Sequence, residues 1–220
     1  MRVINKDELA GLISSGSSIM VGGFLGCGSP DRIIDILISS GTGELTIIAN
    51  DTAFPEKGVG KLIVSKLVRK VIASHIGTNP ETQRQMISGE IEVELVPQGT
   101  LAERVRAKGV GLGGVLTPTG LGTVVERGKQ IVAVADKRFL LELPLGADFA
   151  IVKAKKADYY GNLTYALTAR NFNPLMAMAA KCVIAEVEEI VPVGSIGPEE
   201  INTPGVVVDY ILVGRNSGGC

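Results

Sequence analysis

Apolar and polar positions follow two periods along the first half of the chain. Leu9, Leu12 and Ile13 recur at helical spacing, and Asn5 with Glu8 three residues later predicts the capping box that starts this helix. Short apolar runs that predict buried strands occupy positions 17–21, 45–49, 68–73 and 93–96. Because helical stretches alternate with these runs, the pattern predicts an α/β fold with a mostly parallel sheet covered by helices on both faces.

Three further helix starts are predicted from capping residues. Ser29, followed by a proline at the first helical position, predicts the cap of a helix whose stripe is Ile33, Ile34, Leu37 and Ile38. Asn79 precedes a proline in the same way. Thr100 with Glu103 three residues later predicts a capping box.

The second half of the chain has a different pattern. From about Lys129, strands predicted at 131–135, 139–143 and 149–152 are joined by tight turns, so this half is expected to be richer in hairpins. A helix near 174–180 and a strand at 206–213 follow. No long linker divides the 220 residues, and we expect residues 1–220 to form a single domain.

Composition excludes several classes of function. Lys and Arg number 22 against 23 Asp and Glu, without a basic block, which argues against nucleic-acid binding. Charges at positions 6–8 interrupt any signal peptide, and no run reaches the roughly 18 apolar residues of a membrane span. Cys27, Cys182 and Cys220 are too few and too widely spaced for a disulfide framework or a metal site. A cytoplasmic location is expected, with no metal.

A glycine-rich loop follows the strand at 17–21. Residues 22–28 read GGFLGCG, and the predicted helix begins just behind them. Glycine lets backbone amides approach a ligand closely, and a helix N-terminus carries unpaired N–H groups with a partial positive charge. The segment therefore suits a phosphate or carboxylate ligand, although a tight turn with close helix–sheet packing would use the same residues.

The loop also resembles part of a dinucleotide-binding fingerprint. Gly26 and Gly28 begin the G-x-G-x-x-G pattern, but Asp31 occupies the place of the third glycine. Asp51 lies at the end of the next strand, where an NAD-binding acid is expected. An NAD-dependent oxidoreductase domain stays open as an alternative on these residues.

Polar residues end three of the predicted strands. Asn50, Ser74 and Gln98 each follow an apolar run, and the carboxyl ends of parallel strands form the ligand crevice of such a sheet. His75, the chain's one histidine, has no nucleophile at a recognisable spacing, so we interpret it as a hydrogen-bonded structural residue. Cys27 lacks an assignable base, which argues against a nucleophile.

An ordered set of motifs carries a family resemblance. The sequence resembles the alpha subunits of two-chain class I CoA-transferases of the acetate/butyrate–acetoacetate type, over about residues 16–213. The motifs are IMVGGFLGCGSP, IIANDTAFPEKGVGKL, ASHIGTNPET, VELVPQGTLAERVRAKGVGLGGVLTPTGLGT, LLELPLGAD and ARNFNPLMAMAAK.

The resemblance implies an enzyme that moves CoA between acyl-CoA, such as acetoacetyl-CoA, and carboxylates such as acetate or butyrate. In this ping-pong chemistry a glutamate attacks the thioester, and a glutamyl-CoA intermediate follows. The family's glutamate lies in a Ser-Glu-Asn-Gly motif on a beta subunit, and no glutamate here precedes Asn-Gly. A beta-chain partner, an α2β2 heterotetramer, CoA as a substrate and no tightly bound cofactor are therefore implied.

Roles for individual residues also come from the resemblance. Gln98 is implied to donate a hydrogen bond to the developing oxyanion, with Asn50 as a second candidate. Gly111 to Gly122 is implied to line either the acyl pocket or the subunit interface. The implied CoA-binding loop comprises Gly22, Gly23, Phe24, Leu25, Gly26, Cys27 and Gly28. A metabolite-sensing module of the same fold, without catalysis, is the remaining alternative.

Overall fold

The computed structural model describes residues 1–214, so Cys220 lies outside the described residues. The strands are β1 Arg2–Val3, β2 Ser18–Val21, β3 Leu45–Ile48, β4 Val68–Ala73, β5 Glu92–Leu95, β6 Val115–Thr117, β7 Ile131–Val134, β8 Lys137–Glu142, β9 Ala147–Asp158, β10 Leu163–Thr164, β11 Ala180–Val191 and β12 Tyr210–Val213. The helices are α1 Lys6–Leu12, α2 Asp31–Ser39, α3 Val59–Val64, α4 Pro80–Ile87, α5 Gln98–Gly109 and α6 Asn173–Ala177.

The main sheet confirms the predicted α/β class. Its strand order is β1-β12-β11-β9-β2-β3-β4-β5, and every neighbouring pair along this order is parallel. The short β10 pairs antiparallel with β9. From β2 the sheet grows to one side through β3, β4 and β5 and to the other through β9. The carboxyl ends of the central strands therefore meet beside the loop that follows β2.

Helices cover both faces of the main sheet. Successive residues of a strand point to opposite faces, so Ile19 and Met20 of β2 belong to different cores. Ile19 packs in one core with residues of α1, α2 and α3, such as Leu37 of α2. Met20 packs in the other core with Leu101 of α5 and Met176 of α6. These two layers hold the strand ends rigidly in place.

Two of the predicted helix starts are confirmed and two are wrong. Asn5 forms a capping box with Glu8, and the Asn79 side chain accepts hydrogen bonds from the amides of α4. Ser29 does not cap α2, because Pro30 occupies the N-cap position without a side-chain hydrogen bond. Thr100 lies inside α5, which already begins at Gln98. The N-cap of α2 lies one residue after the predicted position, and the N-cap of α5, Pro97, lies three residues before it.

The second half of the chain divides between two sheets. β7, β8 and β6 form a small antiparallel sheet, which confirms the predicted hairpins. The strand predicted at 149–152 is part of β9, and β9 joins the main sheet in parallel between β2 and β11. The sequence prediction missed β11. Its glutamates interrupt the apolar run, yet Glu186 is buried with 2% of its surface exposed.

Candidate active site

The glycine loop leaves β2 at the carboxyl edge of the main sheet. Phe24 and Cys27 pair through two backbone hydrogen bonds of 2.9 and 2.8 Å, which close a two-residue turn. The turn residues Leu25 and Gly26 have φ of 49° and 86°, the left-handed conformation that glycine adopts most easily. Phe24 is 43% exposed, so the turn presents its tip to solvent.

Two asparagines after β10 hold the base of the loop. Asn173, which is fully buried, donates from Nδ2 to Gly28 O at 2.9 Å. A Cβ on Gly22 would lie 1.8 Å from Asn173 Oδ1, so the two residues can approach only because Gly22 lacks a side chain. Asn171 donates to Cys27 O at 3.0 Å. Asn-Phe-Asn-Pro is part of a motif in the sequence, but the sequence did not predict that these side chains contact the loop.

Asp51 connects the loop to the end of β3. Its Oδ2 accepts hydrogen bonds from Leu25 N at 2.9 Å and from Asn50 Nδ2 at 2.7 Å. Its Oδ1 accepts from Ala53 N at 2.7 Å. In an NAD-binding domain this carboxylate would bind the ribose of the cofactor. Here both oxygens of Asp51 instead accept hydrogen bonds from the protein itself.

Gln98 and Ser74 converge on Asn50, as the strand ends predict. Gln98 Nε2 donates to Asn50 Oδ1 at 3.3 Å, and Ser74 Oγ lies 2.7 Å from Asn50 O and 3.4 Å from Asn50 Oδ1. Asn50 is buried, whereas Gln98 is exposed at the first turn of α5. The hydrogen bonds thus run from Gln98 through Asn50 and Asp51 to the amide of Leu25.

The first amides of α2 are bonded to a buried carboxylate of the same chain. The amides of Arg32 and Ile33 donate to Glu186 Oε2 at 2.9 and 3.2 Å. Burial raises the pKa of Glu186, and these two amides oppose that shift by binding the charged form. The prediction that this helix N-terminus binds the anion of a ligand is therefore wrong, because a carboxylate of β11 occupies it.

The amide of Gly26 is available to a ligand. Within residues 1–214, its N–H group donates to no acceptor. Gly26 is partly exposed at the tip of the turn. The carboxyl edge can therefore offer a backbone donor from the loop and a carboxamide from Gln98, both of which suit an anion or an oxyanion.

Among the described residues, His75 has no catalytic partner. His75 is exposed and its backbone oxygen accepts from Thr52 N, but its imidazole bonds to no other described side chain or backbone group. The expectation of a hydrogen-bonded imidazole is therefore wrong. Cys27 Sγ lies 3.4 Å from Thr168 Oγ1. Among residues 1–214, no three His, Cys, Asp or Glu side chains are grouped to hold a metal ion.

Similarity to known proteins identifies the family of this chain. The sequence pattern of the Coenzyme A transferase family matches residues 4–214. The chain belongs to the coenzyme A transferase family. The alpha subunit of acetate CoA-transferase from Escherichia coli K12 is 55% identical over 216 residues, which are 98% of each chain. The alpha subunit of the acetoacetyl-CoA:acetate/butyrate CoA transferase of Clostridium acetobutylicum is 50% identical over 211 residues, or 96% of this chain and 97% of that one.

Two solved structures share the fold. The acyl-CoA transferase YdiF of E. coli O157:H7, in a thioester complex with CoA, superposes with a TM-score of 0.87 at 21% identity. This chain is covered to 99% but spans only 48% of YdiF. Glutaconate CoA-transferase of Acidaminococcus fermentans gives a TM-score of 0.85 at 20% identity, covering 98% of this chain and 76% of that one. At these identities the likeness concerns the fold alone.

The described part of the coenzyme A transferase chain contains no membrane-spanning helix. Within residues 1–214, none of the helices combines the length and the hydropathy needed to cross a bilayer. The longest helix, α5, has 12 residues.

Proposed function

We propose that this chain is the alpha subunit of a CoA-transferase that exchanges CoA between acetoacetyl-CoA or short-chain acyl-CoA and acetate or butyrate. One observation carries the proposal: Gln98 and the glycine loop lie at the same edge of the sheet and are joined through Asn50 and Asp51. The substrate class is supported by relatives that are 55% and 50% identical and bear these substrates in their names.

Gln98 would stabilise the oxyanion that forms when a carboxylate attacks the thioester. Its Nε2 carries two hydrogens, and Asn50 Oδ1 accepts one of them at 3.3 Å, which orients the carboxamide and leaves the second hydrogen for the substrate. A positioned donor of this kind accelerates acyl transfer by about 10² to 10³. Asn50 is assigned a positioning role, because its own Nδ2 is bonded to Asp51.

The glycine loop, Gly22 to Gly28, would bind CoA. The partly exposed turn at Leu25 and Gly26 and the amide of Gly26, which has no acceptor in the described residues, support this assignment. CoA is proposed as a substrate, with no tightly bound cofactor.

The nucleophile would come from a second chain. No glutamate of this sequence is followed by Asn-Gly, and in the described residues no glutamate shares a hydrogen bond with Gln98 or with the loop residues 22–28. We propose a homologous beta subunit that supplies the glutamate and an α2β2 heterotetramer. We place residues 111–122 at the subunit interface, since Leu112 and Leu116 are 45% and 43% exposed and Gly111 follows the end of α5 opposite to Gln98.

We also propose a domain organisation and a location for the chain. The main sheet takes strands from both ends of the described chain, with β1 paired to β12, and this supports a single alpha-subunit domain over residues 1–220. We propose a cytoplasmic location, in keeping with metabolite substrates.

Reconstitution tests whether activity requires both the alpha and the beta chain. The purified chain alone should show no transfer of CoA from acetoacetyl-CoA to acetate, and addition of the matching beta chain should restore it. A beta chain with its nucleophilic glutamate replaced by glutamine serves as the control and should restore nothing. Turnover by the lone chain would contradict the two-subunit proposal, and no turnover with any beta chain would favour the sensing module.

Intact-mass spectrometry tests where the covalent intermediate forms. After incubation of the complex with acyl-CoA, the mass of CoA should appear on the beta chain as a thioester. The 220-residue chain should keep its original mass, because a hydrogen-bond donor and a loop make only noncovalent contacts. A CoA adduct on this chain would mean that the nucleophile is misplaced.

A further inference from the structure

Two cations without acidic partners flank the glycine loop. Lys57 contacts the loop at Gly26, the residues on either side of Arg170 contact it at Gly28 and Cys27, and neither Lys57 nor Arg170 forms an ion pair or side-chain hydrogen bond within residues 1–214. We propose that Lys57 and Arg170 bind the phosphate groups of CoA, an inference that rests on the proposed function. Nothing in the loop's own sequence supplies such positive charge, because residues 22–28 are uncharged.

Lys57 is held against the tip of the loop by its aliphatic stem. A Cβ on Gly26 would lie 3.1 Å from Lys57 Cβ and 3.4 Å from its Cδ, so the stem packs directly over Gly26. The residue is exposed, and its ammonium group reaches solvent beside the turn. Lys61, four residues on, instead forms ion pairs with Asp31 and Asp35.

Arg170 is fixed from both of its chain neighbours. A Cβ on Gly28 would lie 2.8 Å from Ala169 O, and Asn171 Nδ2 donates to Cys27 O at 3.0 Å. The backbone of Arg170 therefore lies directly beside the loop, while its side chain is exposed. A guanidinium in this place can bind phosphate oxygens through two parallel N–H groups.

The two residues approach the loop at neighbouring points. Lys57 contacts Gly26, and the chain neighbour of Arg170 contacts Gly28, which is two residues away and so at most about 7 Å along the chain. Lysine and arginine side chains are long enough to converge over that distance. The amide of Gly26, which has no acceptor in the described residues, lies in the partly exposed turn beside Lys57. A backbone donor next to two cations suits a phosphate rather than the uncharged pantetheine arm.

A comparison of two thioester substrates isolates the phosphate contacts. Acetoacetyl-CoA and acetoacetyl-pantetheine share the reacting end, but only the first carries phosphates. In the complex with the beta chain, K57Q and R170Q should each lower kcat/KM for acetoacetyl-CoA by roughly fivefold to tenfold, and the double variant by about fiftyfold. The value for acetoacetyl-pantetheine should stay within about twofold of wild type.

Matched controls and a binding measurement separate this proposal from the proposed function. K137Q and R138Q remove exposed charges from β8 and should change neither substrate. The phosphate site would be overturned if the wild-type complex turns over and the double variant has the same kcat/KM for acetoacetyl-CoA. It would also be overturned if the double variant loses kcat/KM equally for both substrates. Either result would leave the transferase proposal unchanged. If the wild-type complex shows no turnover, equilibrium dialysis with CoA decides: weaker binding to the double variant supports the site, and equal binding or none overturns it.

Discussion

Asp51 is predicted to hold the glycine loop and Asn50 in fixed positions relative to each other. It accepts hydrogen bonds from Leu25 N, Asn50 Nδ2 and Ala53 N at 2.7 to 2.9 Å, and only 5% of its surface is exposed. Asparagine has the same shape but replaces one oxygen with an amino group that can only donate. In either orientation D51N therefore loses at least one of these bonds and the negative charge that strengthens the others.

The size of the effect follows from these contacts. A hydrogen bond to a charged group contributes about 1.5 to 3 kcal/mol, so D51N should lower the free energy of unfolding by roughly 2 to 3 kcal/mol. D51A leaves all three donors without this acceptor and should cost about 4 kcal/mol or more. Because D51N removes or weakens the hydrogen bonds that position Leu25 and Asn50, kcat/KM of D51N in the complex should fall by roughly tenfold to a hundredfold.

Urea unfolding of the chain and steady-state kinetics of the complex measure the two effects. D35N is the matched control, since Asp35 is 57% exposed and its ion pair with Lys61 lies at the surface. It should lose less than about 1 kcal/mol and no activity. The reasoning is refuted if D51N unfolds and turns over like wild type, or if D35N shows the same losses.

Three other substitutions test separate parts of the structure. Q98L should lower kcat by roughly tenfold to a thousandfold while the heteromer stays intact, because one oxyanion donor is lost. Burial raises the pKa of Glu186, so its carboxyl favours folding most at low pH and wild type should lose stability relative to E186Q as pH rises above the ordinary carboxyl value of 4.5. Hydrogen bonds from Ser18 and Lys181 lower the pKa of Asp148 to about 2, so the advantage of wild type over D148N should disappear as pH falls from 3.8 towards 2.

The test of Gln98 has a matched control, and all three tests have a contradicting outcome. Q130L, which changes an exposed glutamine next to β7, should leave kcat unchanged, and an unchanged kcat in Q98L would remove Gln98 from the mechanism. Thermal unfolding from pH 2 to pH 8 measures the two carboxyl variants. Parallel stability curves for wild type and E186Q, or for wild type and D148N below pH 4, would contradict the assigned environments.

The sequence by itself determined the local elements and the edge of the sheet where the site lies. Apolar periodicity and proline positions predict most strands and two of the capped helices, because these depend on neighbours within a few residues. Parallel strands all end at one edge, so Asn50, Ser74 and Gln98 could be expected to meet there. Their hydrogen bonds confirm it. The family resemblance was also present in the sequence motifs, and the match over residues 4–214 confirms it.

Only the tertiary structure decided which internal groups hold the site together. Glu186 binds the amides of α2 across more than 150 residues of sequence, and Asn173 reaches Gly28 across 145. No local pattern carries such contacts, because they depend on which strands become neighbours in the sheet. The sequence therefore did not predict β11, with its buried glutamate, and predicted that the α2 N-terminus was free for a ligand. The physical reason is that a buried carboxylate requires hydrogen-bond donors, and only the folded chain brings those donors to it.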